Sequence, residues 1–75
     1  MDLYKNMNNN SGVYAYEIES DNIKIEFTDG DVYLYTYASA GSANIEAMKR
    51  LAVAGQGLND FINTHVSKRY ERKLR

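Results

Sequence analysis

Apolar residues alternate with polar ones along the first half of the chain and recur at helical spacing along the second. From Val13 to Glu19, Tyr14, Tyr16 and Ile18 alternate with smaller or charged residues, the period of a strand. Ser20-Asp21-Asn22 is a turn signal, and Ile23-Lys24-Ile25-Glu26-Phe27 then alternates strictly, as a half-buried strand does. Thr28-Asp29-Gly30-Asp31 forms the next turn, with Gly30 free to take a positive φ. Val32 to Tyr37 is rich in β-formers and reads as a third strand. Three short strands joined by tight turns predict an antiparallel meander.

Gly41-Ser42 breaks this pattern. Ser42 or Asn44 is placed to cap a helix, and Glu46 in its first turn suits the helix dipole. Ile45, Met48, Leu51 and Ala52 share one face, and Gly55 is placed to end the helix in a left-handed conformation. Gly57 or Asn59 opens a second helix, whose apolar stripe is Leu58, Phe61, Ile62, His65 and Val66, with Tyr70 extending it. The predicted fold is α+β: a three-stranded meander with two helices packed on one face, in the order βββαα. Residues 1–12, polar and Asn-rich, read as a flexible leader; 13–72 form a single domain; 73–75 close a basic tail.

Which face of the third strand meets the helices depends on the turn at Asp29-Gly30. A two-residue turn pairs Phe27 with Val32 and Ile25 with Leu34, so that the core is aliphatic and Tyr33, Tyr35 and Tyr37 stand open. A three-residue turn with a bulge at Gly30 pairs Ile25 with Tyr33 and Ile23 with Tyr35. The tyrosines are then core, and Val32, Leu34 and Thr36 lie on the far face. A one-residue slip exchanges the faces entirely. An open tyrosine row would be a stacking platform for bases; a packed one would be core with its hydroxyls at the rim. The residues alone leave both registers open. Either way one apolar row is left away from the helices and calls for a ligand or a second subunit.

The chain has 75 residues, 44% of them hydrophobic, with no Cys, Pro or Trp and seven Tyr. That excludes a multidomain enzyme, a disulfide scaffold and a thiolate metal site. A core of this size rarely supplies more than about 3–5 kcal/mol, so oligomerisation is a natural way to gain stability. No run of 18 apolar residues is present to span a membrane, and Met1-Asp2-Leu3-Tyr4-Lys5-Asn6 does not read as a signal peptide; a cytoplasmic protein is expected. The net charge of −1 hides an asymmetry. Residues 68–75 carry five cations against Glu71, a net +4, which leaves −5 on the rest. Such a tail suits phosphate, the end of a helix dipole, or the acidic body of a neighbouring subunit.

Chemistry-bearing constellations are sparse. His65, the only histidine, lies on an apolar stripe, where a packed role is expected, and no Ser or Asp is spaced to complete a triad with it. Glu17 with Glu19, and Asp29 with Asp31, are carboxylate pairs better explained as solvated strand and turn residues than as a metal or acid–base site. Gly55-Gln56-Gly57 is too short and lysine-poor for a phosphate loop. The chain is therefore read as non-catalytic, with no cofactor and no metal.

Three landmarks stand in order: Ile23-x-Ile25-x-Phe27-x-x-Gly30, then Tyr33-x-Tyr35, then Phe61-Ile62-Asn63-x-x-Val66-x-x-x-Tyr70. Over roughly residues 13–72 this resembles the KTSC domain, named for its occurrence at the C-terminus of some lysyl-tRNA synthetases and also found in stand-alone bacterial and phage proteins. The resemblance implies that Tyr33 and Tyr35 share the core side, which favours the bulged register. It matches Asn63 and Tyr70 to the family's Asn and closing Tyr. RNA binding is the function suggested for the family, from the synthetase context. The chain departs from the pattern at Ala54-Gly55-Gln56-Gly57, which lies further upstream than the family's Ser-Lys-Gly turn and lacks its lysine. It departs again at Leu34, where a polar residue is usual.

Together these readings predict a binding module for RNA or a nucleotide. Lys68, Arg69, Arg72 and Lys73 would contact phosphate, and Asn63 and Tyr37 would contact base or sugar. The alternatives are a homo-oligomeric interaction module joined through Val32, Leu34 and Thr36, or a phage-type protein that sequesters a small nucleotide signal. The core is expected at Tyr33, Tyr35, Ile23, Ile25, Phe27, Met48, Leu51, Phe61, Ile62 and Val66.

Overall fold

The computed structural model describes residues 1–7 and 11–75. Its antiparallel sheet has five strands in sequential order: β1 (Asp2–Leu3), β2 (Val13–Glu19), β3 (Asn22–Phe27), β4 (Val32–Thr36) and β5 (Arg72–Lys73). The three central strands are the expected meander, and the chain termini add a two-residue strand at each edge. Both additions revise the expected limits. Residues 1–7 are not a loose leader, because Tyr4 is buried in the core and donates its backbone N–H to Tyr14 O at 2.9 Å. The Asn8-Asn9-Asn10 part of that leader lies outside the described residues. Within the exposed tail, Arg72–Lys73 pair with β4 as a strand, flanked by Glu71 N–H on Leu34 O and Leu74 N–H on Val32 O.

The β3–β4 register is that of the three-residue turn. Ile23 faces Tyr35, Ile25 faces Tyr33 and Glu26 faces Val32. Gly30 takes φ 95°, Gly30 N–H donates to Phe27 O, and Asp31 N–H bonds the Asp29 carboxylate at 3.0 Å. A Cβ is strained at that φ, which is why the turn chemistry sets the register. A second irregularity sits at Tyr14, where β2 bulges between Val13 and Ala15. One extra residue there turns Val13 inward together with Tyr16, against simple alternation, and leaves Tyr14 half exposed.

Thr36 caps a one-turn helix α1 (Tyr37–Ala40): its hydroxyl accepts from Ser39 N–H while Ser39 Oγ accepts from Thr36 N–H. Tyr37 therefore opens a helix instead of closing the strand. Gly41 leads into α2 (Ser42–Ala54), which lacks a side-chain cap, so neither Ser42 nor Asn44 has the expected role; Asn44 bonds Ala40 O instead. Glu46 also falls beyond the first turn. Gly55 ends α2 at φ 77°, with its N–H on Leu51 O. Gly57, at φ 80°, opens α3 (Leu58–Phe61), which continues as a π-helical turn over Ile62–Val66.

The core lies between the sheet and the helices. Tyr35, Ile23, Ile25, Met48, Ile62 and Val66 are buried, joined by Tyr4, Val13, Ile45 and Leu58, with Tyr33, Phe27, Leu51 and Phe61 packed partly buried against them. The π turn keeps Ile62 and Val66 inward while His65 turns out and stacks on Phe61 at 4.5 Å between ring centroids. His65 is thus exposed, not a packed core histidine. Tyr70 lies beyond the helix and does not extend its stripe. Its ring instead closes over Tyr33 at 4.6 Å and meets Tyr35 edge-on at 6.3 Å.

Candidate phosphate-facing turn and the open sheet face

The sheet face away from the helices was expected to carry a bare apolar row. The chain covers that row itself. Val32 and Leu34 are only 5% and 9% exposed. Leu34 has Lys24 and Arg72 as its cross-strand neighbours, and Met1, Lys24, Glu26, Leu74 and Arg75 border the hollow beside Val32. Long charged side chains lay their apolar stems over such a row while the charged ends stay wet. Lys24 Nζ reaches Glu17 at 3.2 Å and Glu19 at 3.4 Å, and Arg75 reaches Glu26 at 3.0 Å. The hydrogen bond to Glu17 holds the Lys24 ammonium above its ordinary pKa. Thr36 is also engaged, donating its hydroxyl to Glu71 at 2.9 Å. The apolar surface offered by Val32, Leu34 and Thr36 to a partner is correspondingly small.

The proposed ligand residues separate into two groups. Lys68, Arg69 and Arg72 are exposed and form no ion pair among the described residues. Lys68 and Arg69 precede Tyr70 in the turn that links the last helix to β5, and Arg72 opens β5. Lys73 is not equally available, since it pairs with Asp31 at 3.4 Å and lies 6.0 Å from the Tyr33 ring centre. Asn63 is exposed on the outer side of the π turn. The Thr36–Glu71 bond brings the turn to the end of the sheet from which Tyr37 emerges. Tyr37 donates its hydroxyl to Glu46 at 2.5 Å, and Lys49 sits 5.7 Å from its ring. This bond raises the Tyr37 hydroxyl pKa, while Lys49 first and Tyr37 second lower that of Glu46. The ring is thereby fixed with part of it exposed to solvent.

The carboxylate pairs have structural partners. Glu17 and Glu19 share Lys24, and Asp29 closes its own turn. Among the described residues no three His, Asp or Glu side chains gather as a metal site would require.

One feature escaped the sequence reading. A polar cleft of about 70 Å³ opens between residues assigned to the leader and the Gly55–Gly57 link, lined by Tyr4, Asn6, Ser11, Gln56, Gly57, Asn59 and Asp60. The Tyr4 hydroxyl accepts the Leu58 N–H there at 3.2 Å, an intrahelical orphan at the start of α3. The available signal was Tyr4 itself, one large amphipathic ring in a polar stretch. No family model matches the chain, and neither does any curated protein or solved structure.

Proposed function

We propose that the chain is a non-catalytic binding module of the KTSC type whose ligand is RNA or a nucleotide phosphate. The observation that carries this reading is the turn at residues 67–71, where Lys68 and Arg69, with Arg72 just beyond, stand exposed and outside any ion pair among the described residues. Charges spent on internal pairs contribute little to a ligand, whereas unpaired cations release counterions from phosphate. The half-exposed Tyr37 and Tyr70 rings at the same end of the sheet supply surfaces for a base. The core position of Tyr35 and the half-burial of Tyr33 remove the β4 tyrosine row as a platform, so recognition falls to the turn. Direct measurement of binding to a labelled single-stranded RNA pool, with the Lys68→Glu/Arg69→Glu double variant beside it, tests the reading. Binding that weakens with salt and drops at least tenfold in the double variant supports it. Equal binding by both proteins refutes it.

A further inference from the structure

We propose that the His65 imidazole is the stacking surface for one base of a single-stranded RNA whose phosphates lie on Lys68 and Arg69. The inference rests on the phosphate-binding reading and extends it from the backbone of the ligand to a base. Three observations carry it: how the last helix presents the ring, what supports the ring from beneath, and where the cations follow it.

A regular α-helix would keep His65 on the apolar stripe with Leu58, Phe61 and Ile62. The π turn over Ile62–Val66 instead buries Ile62 and Val66 and leaves His65 exposed. Such turns are rare and are found frequently at functional sites. Phe61 lies against one face of the imidazole, with ring centroids 4.5 Å apart and planes inclined by 35°. Phe61 is itself partly buried and packed on the core. The imidazole is therefore backed on one face, and its exposed surface is the other face and the edge. A ring held this way has already given up much of its rotamer freedom, so a base that stacks on it finds the surface preorganised. His65 also takes part in no ion pair among the described residues.

Lys68 follows His65 by three residues and Arg69 by four, at most about 11–14 Å of extended chain. The path is shorter than that, because Arg69 N–H donates to Val66 O at 2.8 Å and folds the turn back on the end of the helix. A base on His65 thus has its neighbouring phosphates close to both cations. Cations along the backbone and rings for the bases are the combination by which proteins hold single strands. The planar face of the imidazole is the same whether the ring is neutral or protonated, so the role assigned to it is contact with a base and not with phosphate.

Fluorescence anisotropy with two labelled probes tests the proposal. One is a uridine oligomer of about eight nucleotides, and the other is its abasic counterpart, which keeps the ribose–phosphate chain and lacks the bases. Wild type is expected to bind the uridine oligomer more tightly than the abasic one. His65→Ala should bind the uridine oligomer at least about fivefold more weakly, the lower end of base–aromatic stacking, while its affinity for the abasic oligomer stays within about twofold. Its salt slope should equal that of wild type, because no phosphate contact is removed. His65→Tyr, which keeps a ring, should restore the preference for bases, and Lys68→Glu/Arg69→Glu should weaken both probes. Circular dichroism confirms that each variant is folded, and His65→Gln, which also lacks the ring, replaces the alanine variant if that one is not. Equal binding of the uridine oligomer by wild type and His65→Ala overturns the proposal and leaves the phosphate-binding reading standing. A loss on both probes with a flatter salt slope also overturns it, since His65 would then be a phosphate contact. Binding of neither probe by wild type at low salt removes the phosphate-binding reading and this proposal with it.

Discussion

Replacing Tyr4 probes the placement of the N-terminal residues, which sequence pattern assigns to a flexible leader and the structure places in the core. Tyr4 is 6% exposed, and its hydroxyl is the acceptor for Leu58 N–H, a bond buried at the head of α3. Tyr4→Phe keeps the ring and removes the acceptor. A buried donor left without a partner costs about 1–3 kcal/mol. The adjoining cleft has a volume of about 70 Å³ and polar walls, room for about two waters at roughly 30 Å³ each. Water relieves the stranded N–H there, which puts the expected loss near 1 kcal/mol, or about 4–8 °C in Tm for a domain of this size. Tyr4→Ala removes the ring as well, a change that costs about 3–5 kcal/mol for a buried aromatic. That equals the whole stability of about 3–5 kcal/mol expected of so small a core. Urea titration followed by circular dichroism should show a lowered midpoint for Tyr4→Phe and a largely unfolded Tyr4→Ala at 25 °C. If Tyr4→Ala unfolds within about 0.5 kcal/mol of wild type, the change expected at an exposed site, the packing of residues 1–7 is refuted.

Gly55→Ala should destabilise the fold by at least about 1–2 kcal/mol, because φ is 77° and the new Cβ would lie 2.6 Å from Lys5 Cβ; an unchanged thermal midpoint contradicts this. Leu34→Glu should cost about 2 kcal/mol or more in chemical denaturation, since the side chain is covered by the chain's own residues; a change under about 0.5 kcal/mol would mean an accessible row instead. Burial pushes the Tyr35 hydroxyl up to about 12, from an ordinary value of 10.0. The folded chain keeps that proton where the unfolded chain loses it, so stability falls as pH rises from about 10 towards 12. Urea midpoints measured across that range should decline in wild type and decline less in Tyr35→Phe.

The central meander was legible because alternation in Ile23–Phe27 and turn chemistry at Gly30 are local signals that the sheet satisfies. The register needed one further constraint, a left-handed Gly30 with Asp29 closing the loop. Both edge strands were invisible, because two-residue strands have no period. Asp2–Leu3 and Arg72–Lys73 exist only through the neighbours they pair with. Tyr14 misled for a related reason: a bulge breaks alternation without marking the sequence. His65 kept its place on the helical wheel but not its burial, since a π turn shifts the phase that a 3.6-residue period assumes. That Lys68, Arg69 and Arg72 form no ion pair among the described residues, while Lys73 and Arg75 do, depends on side-chain geometry that composition does not carry.

Lys68, Arg69 and Arg72 are the cations proposed to meet phosphate. Fluorescence anisotropy of a labelled single-stranded RNA pool, titrated with the protein across a salt series, measures that contact directly. Three phosphate contacts on a single strand predict that log K falls against log salt with a slope of about −2. The Lys68→Glu/Arg69→Glu variant should bind at least tenfold more weakly at low salt, with a shallower slope. No binding at low salt, or a slope near zero shared by both proteins, would contradict the claim.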